Sequence, residues 1–323
     1  MNTVIEHNDY IIQVKVPLPF PLRWVNAYLI RGSNGYTVID PGLRTPDAEA
    51  LWHAVLDERK IAFEHVEQIV LTHHHPDHYG MAGWFQERTG APVLLSETGW
   101  RQVQLLWGEE QPMSALLFEL FFQHGLDAAM LEEMTKHMAS FVPLVSPQPQ
   151  ITLLGEGPVR LGDRVYEAIE TPGHAAGHLI FYDAEAEIMF CGDHVLPQIS
   201  PNVSFLPQVE ANPLGAYLGS LREISRLSVK MAFPGHREPW SGFSARAAEL
   251  VRHHEERLVL MEQKLHTPLT AYEVCRATFG DRLSIHQMRF ALSETIAHLI
   301  LLEAEGRIQQ LEQASEMIRY TVV

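Results

Sequence analysis

The chain has 323 residues, 46% of them hydrophobic and 20% charged, an ordinary globular balance with room for one large domain and a small one. A formal net charge of −16 at neutral pH disfavours general binding to nucleic acid, and two cysteines, Cys191 and Cys275, are too few for a disulfide framework. No basic stretch followed by an apolar one opens the sequence, and no apolar run approaches the roughly 18 residues needed to cross a bilayer, so a cytoplasmic protein with no membrane partner is expected.

Strands are predicted at residues 11–16 and 27–30, and Asn34-Gly35 signals a hairpin into a strand at 36–39. Asp40-Pro41-Gly42 closes that strand as an Asx-type turn. Residues 45–60 have helical spacing, with Pro46 early and Leu51, Val55 and Leu56 on one face. The apolar run Gln68-Ile69-Val70-Leu71 reads as a buried strand and delivers the chain to Thr72-His73-His74-His75-Pro76-Asp77-His78. In an extended segment alternate side chains share a face, so His73 and His75 can grip one ion. Pro76 forces a turn, which aims Asp77 and His78 toward a second ion. Imidazole and carboxylate donors suit zinc, iron or manganese better than magnesium or calcium. The plain alternative, a solvated His-rich loop, fits poorly with a strand-bounded cluster that holds an aspartate.

A helix is predicted at 78–87, then Gly90 and a strand at 92–95. Residues 97–144 are helical and rich in Leu, Phe, Trp and Met, and read as an insertion between the two halves of the fold. It is either a lid over an apolar substrate pocket or extra packing, as core or as a homodimer contact. The second half repeats the strand logic. Short apolar runs end at His174, Asp193 and His236, and a hairpin is predicted from 178–182 and 187–190. The arithmetic fits two ions: His73, His75 and His174 hold the first, Asp77, His78 and His236 the second, and Asp193 bridges them. His74 and His194 are read as non-ligands. A stiff, proline-containing loop at 196–204 sits at the rim, and helices are predicted at 213–227, 244–266, 270–279 and 285–305, with extended strands over 307–323.

The pattern H-x-H-x-D-H followed by separate His, Asp and His resembles the metallo-β-lactamase-fold hydrolase superfamily over the first three quarters of the chain. The resemblance implies an α+β fold, a four-layer αββα sandwich with the metals at one edge of its sheets. It places Asp40 behind the ligands, where its carboxylate orients them, and gives His178 a structural, hydrogen-bonded role. The expected division is a hydrolase domain at 1–243, with the insertion at about 97–144, and a linking helix with a winged-helix-like module at 244–323. That order is similar to a bacterial and mitochondrial subgroup. Winged helices often bind DNA, but residues 285–305 carry only Arg289 as a fixed cation, so the module is read as packing, oligomerisation or a wall near the site.

Zinc β-lactamases carry a cysteine where this chain has Asp193, and Cys191 lies on the opposite strand face, so antibiotic hydrolysis is not expected. The cofactors implied are two divalent transition-metal ions, zinc first, with iron or manganese as alternatives. They would provide a hydroxide nucleophile at neutral pH, with Asp77 orienting it. The expected substrate is a small ester, thioester or lactone with an apolar portion. A metallo-endoribonuclease acting on single-stranded RNA is the alternative, because relatives with this domain order include one. A metal-storing scaffold without turnover is the third reading.

Overall fold

The computed structural model describes residues 3–311 and 317–323, so the part of the expected C-terminal strand region at 312–316 lies outside the described residues. Seven strands form a first sheet in chain order: β1 (Val4–Glu6), β2 (Ile11–Pro17), β3 (Trp24–Arg31), β4 (Tyr36–Ile39), β5 (Val66–Val70), β6 (Val93–Leu95) and β7 (Ile151–Leu153). Its first four strands pair antiparallel, and β4 to β7 run parallel. A second sheet of five strands holds β8 (Gly157–Leu161), β9 (Arg164–Glu170), β10 (Leu179–Asp183), β11 (Ile188–Gly192) and β12 (Met231–Pro234), ordered β12-β11-β10-β9-β8. The Asn34-Gly35 signal is answered by the β3–β4 hairpin, in which Arg31 lies opposite Tyr36.

Period-2 alternation sorts each strand between two faces. Tyr28, Ile30, Ile39 and Val70 of the first sheet meet Tyr166, Phe181, Phe190 and Phe233 of the second in a core between the sheets. The opposite faces are covered by helices. Ala27, Leu29 and Ile69 lie under α1 (Pro46–Arg59) and, past the short α2 (Pro76–Tyr79), under α3 (Ala82–Thr89), where Trp52 meets Phe85 edge-to-face at 4.8 Å. The result is the four-layer αββα sandwich.

The helix expected at 78–87 is broken into α2 and α3. The Met81 N–H leaves the helical ladder to bond the Gly42 carbonyl at 2.8 Å, and Gly80 is so tightly enclosed that a Cβ there would lie 2.6 Å from the Leu144 and Pro76 carbonyl oxygens. The insertion is also placed differently. Helices α4 (Glu97–Trp107), α5 (Pro112–Gln123) and α6 (Ala128–Ala139) lie between β6 and β7, so the chain returns to the first sheet before starting the second. Three residues are too few for β7 to show a periodicity.

Beyond β11, α7 (Pro213–Ile224) covers the second sheet, with Tyr217 and Leu221 in one cluster with Met189 and Cys191. The C-terminal region contains α8 (Phe243–Glu262), α9 (Ala271–Phe279), α10 (Ile285–Ala304) and an antiparallel ribbon of β13 (Ile308–Gln310) and β14 (Tyr320–Val322). Thr270 and Ser284 cap α9 and α10 with reciprocal side-chain bonds. The insertion packs on this region. Tyr272 N–H donates to the His124 carbonyl at 3.1 Å, Ile318 N–H donates to the Gln123 carbonyl at 2.8 Å, and Met113, Leu117 and Phe121 are fully buried. Part of the greasy stretch is therefore internal core.

Candidate metal centre

Strand ends bring the polar cluster to one edge of the sandwich. Thr72 follows β5; its N–H donates to Asp40 Oδ1 at 2.8 Å and its hydroxyl to Asp40 Oδ2 at 2.6 Å. That hydroxyl is left to accept from His73 Nδ1, 2.9 Å away. Asp40 sits in a left-handed turn at φ 50°, and its Oδ2 also accepts from His78 Nδ1 at 2.9 Å. His174 Nδ1 donates to the Asn202 carbonyl at 2.8 Å, and His236 Nδ1 to the Trp24 carbonyl at 3.0 Å. In all four residues the Nδ1 proton is committed to a fixed acceptor, so Nε2 is the nitrogen turned into the site, where an ion can replace its proton. His75, the residue that caps α2, instead turns Nδ1 toward His73 Nε2 at 3.0 Å.

Two groups of three result. His73, His75 and His174 place donor atoms within 4.8 Å of one another, and so do Asp77, His78 and His236. Asp193 stands between them: Oδ1 is 3.4 Å from His78 Nε2, and Oδ2 is 3.4 Å from His236 Nε2 and 3.9 Å from His174 Nε2. Asp40, His73 and His78 also lie close together, but Asp40 is occupied by Thr72 and His78. His78 Nε2, His174 Nε2 and Asp193 Oδ1 are buried with no hydrogen-bond partner. Each such orphan costs about 1–3 kcal/mol, and three converging on one spot fit a bound cation.

The electrostatics agree. Burial alone would push His78 and His236 down, but the Asp193 and Asp77 carboxylates outweigh it, raising His236 to about 10 and His78 well above its ordinary value. Burial would raise the two carboxyls, yet the same histidines hold Asp77 and Asp193 below the usual range. This half of the site attracts positive charge. In the other half, burial pushes His73, His75 and His174 down, so they are neutral donors.

The remaining polar residues support this arrangement. His178 Nε2 accepts the Asp193 N–H at 3.3 Å, and its Nδ1 pairs with Thr171 Oγ1 at 2.9 Å. Gly192, at φ 47°, leaves room for this contact, since a Cβ would lie 2.6 Å from His178 Nε2. His194 Nε2 faces Ser220 Oγ at 2.9 Å, and no donor group among the described residues includes His74 or His194. Cys191 is buried in the core, with Sγ 3.4 Å from the Val195 carbonyl oxygen. Sequence reasoning missed Thr72, although it adjoins the motif, and the Asn202 and Trp24 carbonyls, for which no local signal exists.

A cavity of about 480 Å³ opens onto Asp77, His75, His174, Asp193 and His236. Its walls are largely apolar, with Phe20, Phe290 from α10, and Leu106, Trp107 and Phe141 from the insertion. The C-terminal region thus does contribute a wall.

Known proteins share this architecture. The Metallo-beta-lactamase superfamily profile matches residues 22–236, and a profile described as Metallo-beta-lactamase-like, C-terminal domain, matches residues 258–323. The Probable metallo-hydrolase YqjP of Bacillus subtilis is 29% identical over 306 residues, covering 92% of this chain and 93% of its own. The crystal structure of a metallo-beta-lactamase family protein from Thermus thermophilus superposes with a TM-score of 0.86 at 32% identity, over 98% of this chain and 100% of the other. A beta-lactamase domain protein from Burkholderia ambifaria gives a TM-score of 0.88 at 30% identity, over 99% of this chain and 94% of the other. This chain belongs to the metallo-β-lactamase superfamily, as one of its metal-dependent hydrolases.

Proposed function

We propose that this hydrolase cleaves a small ester, thioester or lactone with an apolar portion, at a centre of two divalent transition-metal ions. The observation that carries the reading is the apolar cavity opening directly onto the His and Asp cluster. His73, His75 and His174 would hold one ion, Asp77, His78 and His236 the other, and Asp193 both. The nitrogen-rich donor set favours zinc, with iron and manganese as the other candidates. Bound ions of this kind supply Lewis acidity and lower the pKa of a coordinated water to about 7.

The chain's own residues do the rest. Asp77 reaches His236 Nε2 at 3.1 Å through Oδ2, which leaves Oδ1 to accept a hydrogen bond from the nucleophile and orient it. His178 fixes the Asp193 backbone, and Asp40 fixes the imidazoles of His73 (through Thr72) and His78. Phe20, Trp107 and Phe141 keep bulk water from the acyl portion and fix its direction. The winged-helix reading of the C-terminal region belongs to the same proposal, with its α10 acting as a wall of the cavity rather than as a nucleic-acid reader.

The test is a panel of p-nitrophenyl esters, acyl thioesters, lactones and single-stranded RNA. Each methylene buried in the cavity contributes about 0.8 kcal/mol, so kcat/KM should rise about fourfold per carbon until the cavity is filled. Turnover indifferent to acyl length would make the walls mere packing, and cleavage of RNA alone would replace the proposal with the nuclease reading.

A further inference from the structure

Among the cavity-lining residues one cation stands apart. Arg289 lies in the second turn of α10 and lines the cavity that opens onto the metal centre. Its Nε is buried without a hydrogen-bond partner, and among the described residues no carboxylate pairs with it. Glu294, which also lines the cavity, is committed to Arg257. The contact Arg289 does make is with the Phe290 ring, 4.3 Å from the guanidinium carbon to the ring centre. Burial pushes Arg289 down to about 10, with no opposing charge to restore it. Burial and an orphaned Nε are thus offset only by the contact with the Phe290 ring.

The position relative to the centre is informative. His286, one helical turn before Arg289, is influenced by both the Arg289 guanidinium and the Asp77 carboxylate. It stacks on Phe20 with ring centres 5.6 Å apart. Arg289, His286 and the metal-centre residues Asp77, His75 and His236 therefore line one cavity. Apart from histidines, Arg289 is the sole cation among the lining residues, which also include Glu210 and Glu294. A polyanion such as RNA or a nucleotide diphosphate would meet more negative than positive charge. One planar guanidinium matches one carboxylate.

We infer that Arg289 is the anchor for a carboxylate at the far end of the substrate's apolar acyl portion, so that the substrate class is a monoester or thioester of a dicarboxylic acid. This rests on the ester, thioester or lactone reading above. With the carboxylate held at Arg289 and the scissile carbonyl at the metal centre, the apolar segment spans the chamber between them. Discrimination against a methyl-ended chain comes from the guanidinium being left unpaired when that chain binds.

Two measurements on the metal-loaded full chain decide it. The first compares mono-p-nitrophenyl esters of dicarboxylic acids of graded length with methyl-ended esters of the same length, in the wild type, Arg289→Met and Arg289→Lys. The wild type should favour the best-fitting acid-ended ester by about 10- to 100-fold in kcat/KM. Arg289→Met should erase that preference through KM, raising KM for acid-ended esters and lowering it for methyl-ended ones, and Arg289→Lys should restore part of it. A wild type that hydrolyses both series equally overturns the anchor and leaves the ester reading standing. The second is calorimetric binding of hexanoate, which needs no turnover. It should weaken about 10- to 100-fold in Arg289→Met, whereas equal affinity overturns the anchor even if no ester in the panel is cleaved. Arg289→Met keeps the aliphatic stem and should melt no lower than the wild type; a lower melting temperature with unchanged hexanoate binding assigns the residue to packing and overturns the inference.

Discussion

Gly235, between β12 and His236, gives a sharp test of how tightly the donor atoms are set. A Cβ there would lie 2.2 Å from Asp193 Oδ1 and 2.6 Å from His78 Cε1. Since side-chain carbons do not approach closer than 3.0 Å, Gly235→Ala must drive the carboxylate back by about 0.8 Å, the difference between 3.0 and 2.2 Å. The neighbours are enclosed: Asp40 holds the His78 ring at 2.9 Å, and the Asp193 carboxylate lies 3.4 Å from both His78 Nε2 and His236 Nε2. Metal–ligand distances tolerate about 0.2 Å, and a misplacement near 1 Å costs about 100-fold in rate. Gly235 has no positive φ, so alanine adds no backbone strain and the fold should survive. The assay is elemental analysis beside ester hydrolysis and a thermal melt in chelator. Gly235→Ala should hold at least one ion fewer and lose about 100-fold in activity, with its chelated melting temperature unchanged. Gly219→Ala on α7, where a Cβ meets nothing within 4 Å, is the control and should match the wild type in metal and activity. A Gly235→Ala protein with full metal and full activity would refute the packing argument.

Asp193→Asn keeps the shape and removes the charge between the two groups of ligands, so it should lose the Asp77-side ion first and at least about 100-fold in hydrolysis, while Cys191→Ser, buried on the other strand face, should keep its metal; the reverse pattern would return the chain to a lactamase-like site. Acid stability follows from buried histidines away from the centre. Burial holds His124 at about 4; burial, then nearby imidazoles and Arg257, hold His254 at about 2; and burial, against the Glu294 carbonyl that accepts from its ring, holds His298 at about 3. Below their unfolded pKa of about 6.5, the unfolded chain takes up protons that the folded chain refuses, so stability falls with pH by about 1.4 kcal/mol per unit for each group. Denaturant unfolding of His124→Phe between about pH 6 and 4 should show a slope shallower by that amount; an unaltered slope would show that His124 does not titrate as buried.

The sequence revealed what lies at strand ends and little of what reaches the site from a distance. His73 to His78 sit in one segment, and His174, Asp193 and His236 each follow an apolar run, so local pattern alone points to all seven candidate ligands, six of which the fold gathers into two groups of three with Asp193 between them. The role of Asp40 came from the family resemblance, and the structure adds its partners, Thr72 and His78. The break at Gly80 was not legible, because it depends on carbonyls contributed by Leu144 and Gly42. The insertion's greasy helices could not be divided between pocket and core by spacing alone. Only tertiary contact shows that Phe121 is internal while Trp107 and Leu106 face the cavity. Arg289 stood out as the lone fixed cation of its helix, yet nothing in the sequence revealed that its Nε lacks a partner.

The central claim is a centre of two ions bridged by Asp193, and metal stoichiometry tests it most directly. Elemental analysis of the wild-type protein, purified without added metal and again after saturation with zinc and removal of the excess, should approach two transition-metal equivalents per chain. A well-folded, saturated protein that holds no more than one would contradict the account.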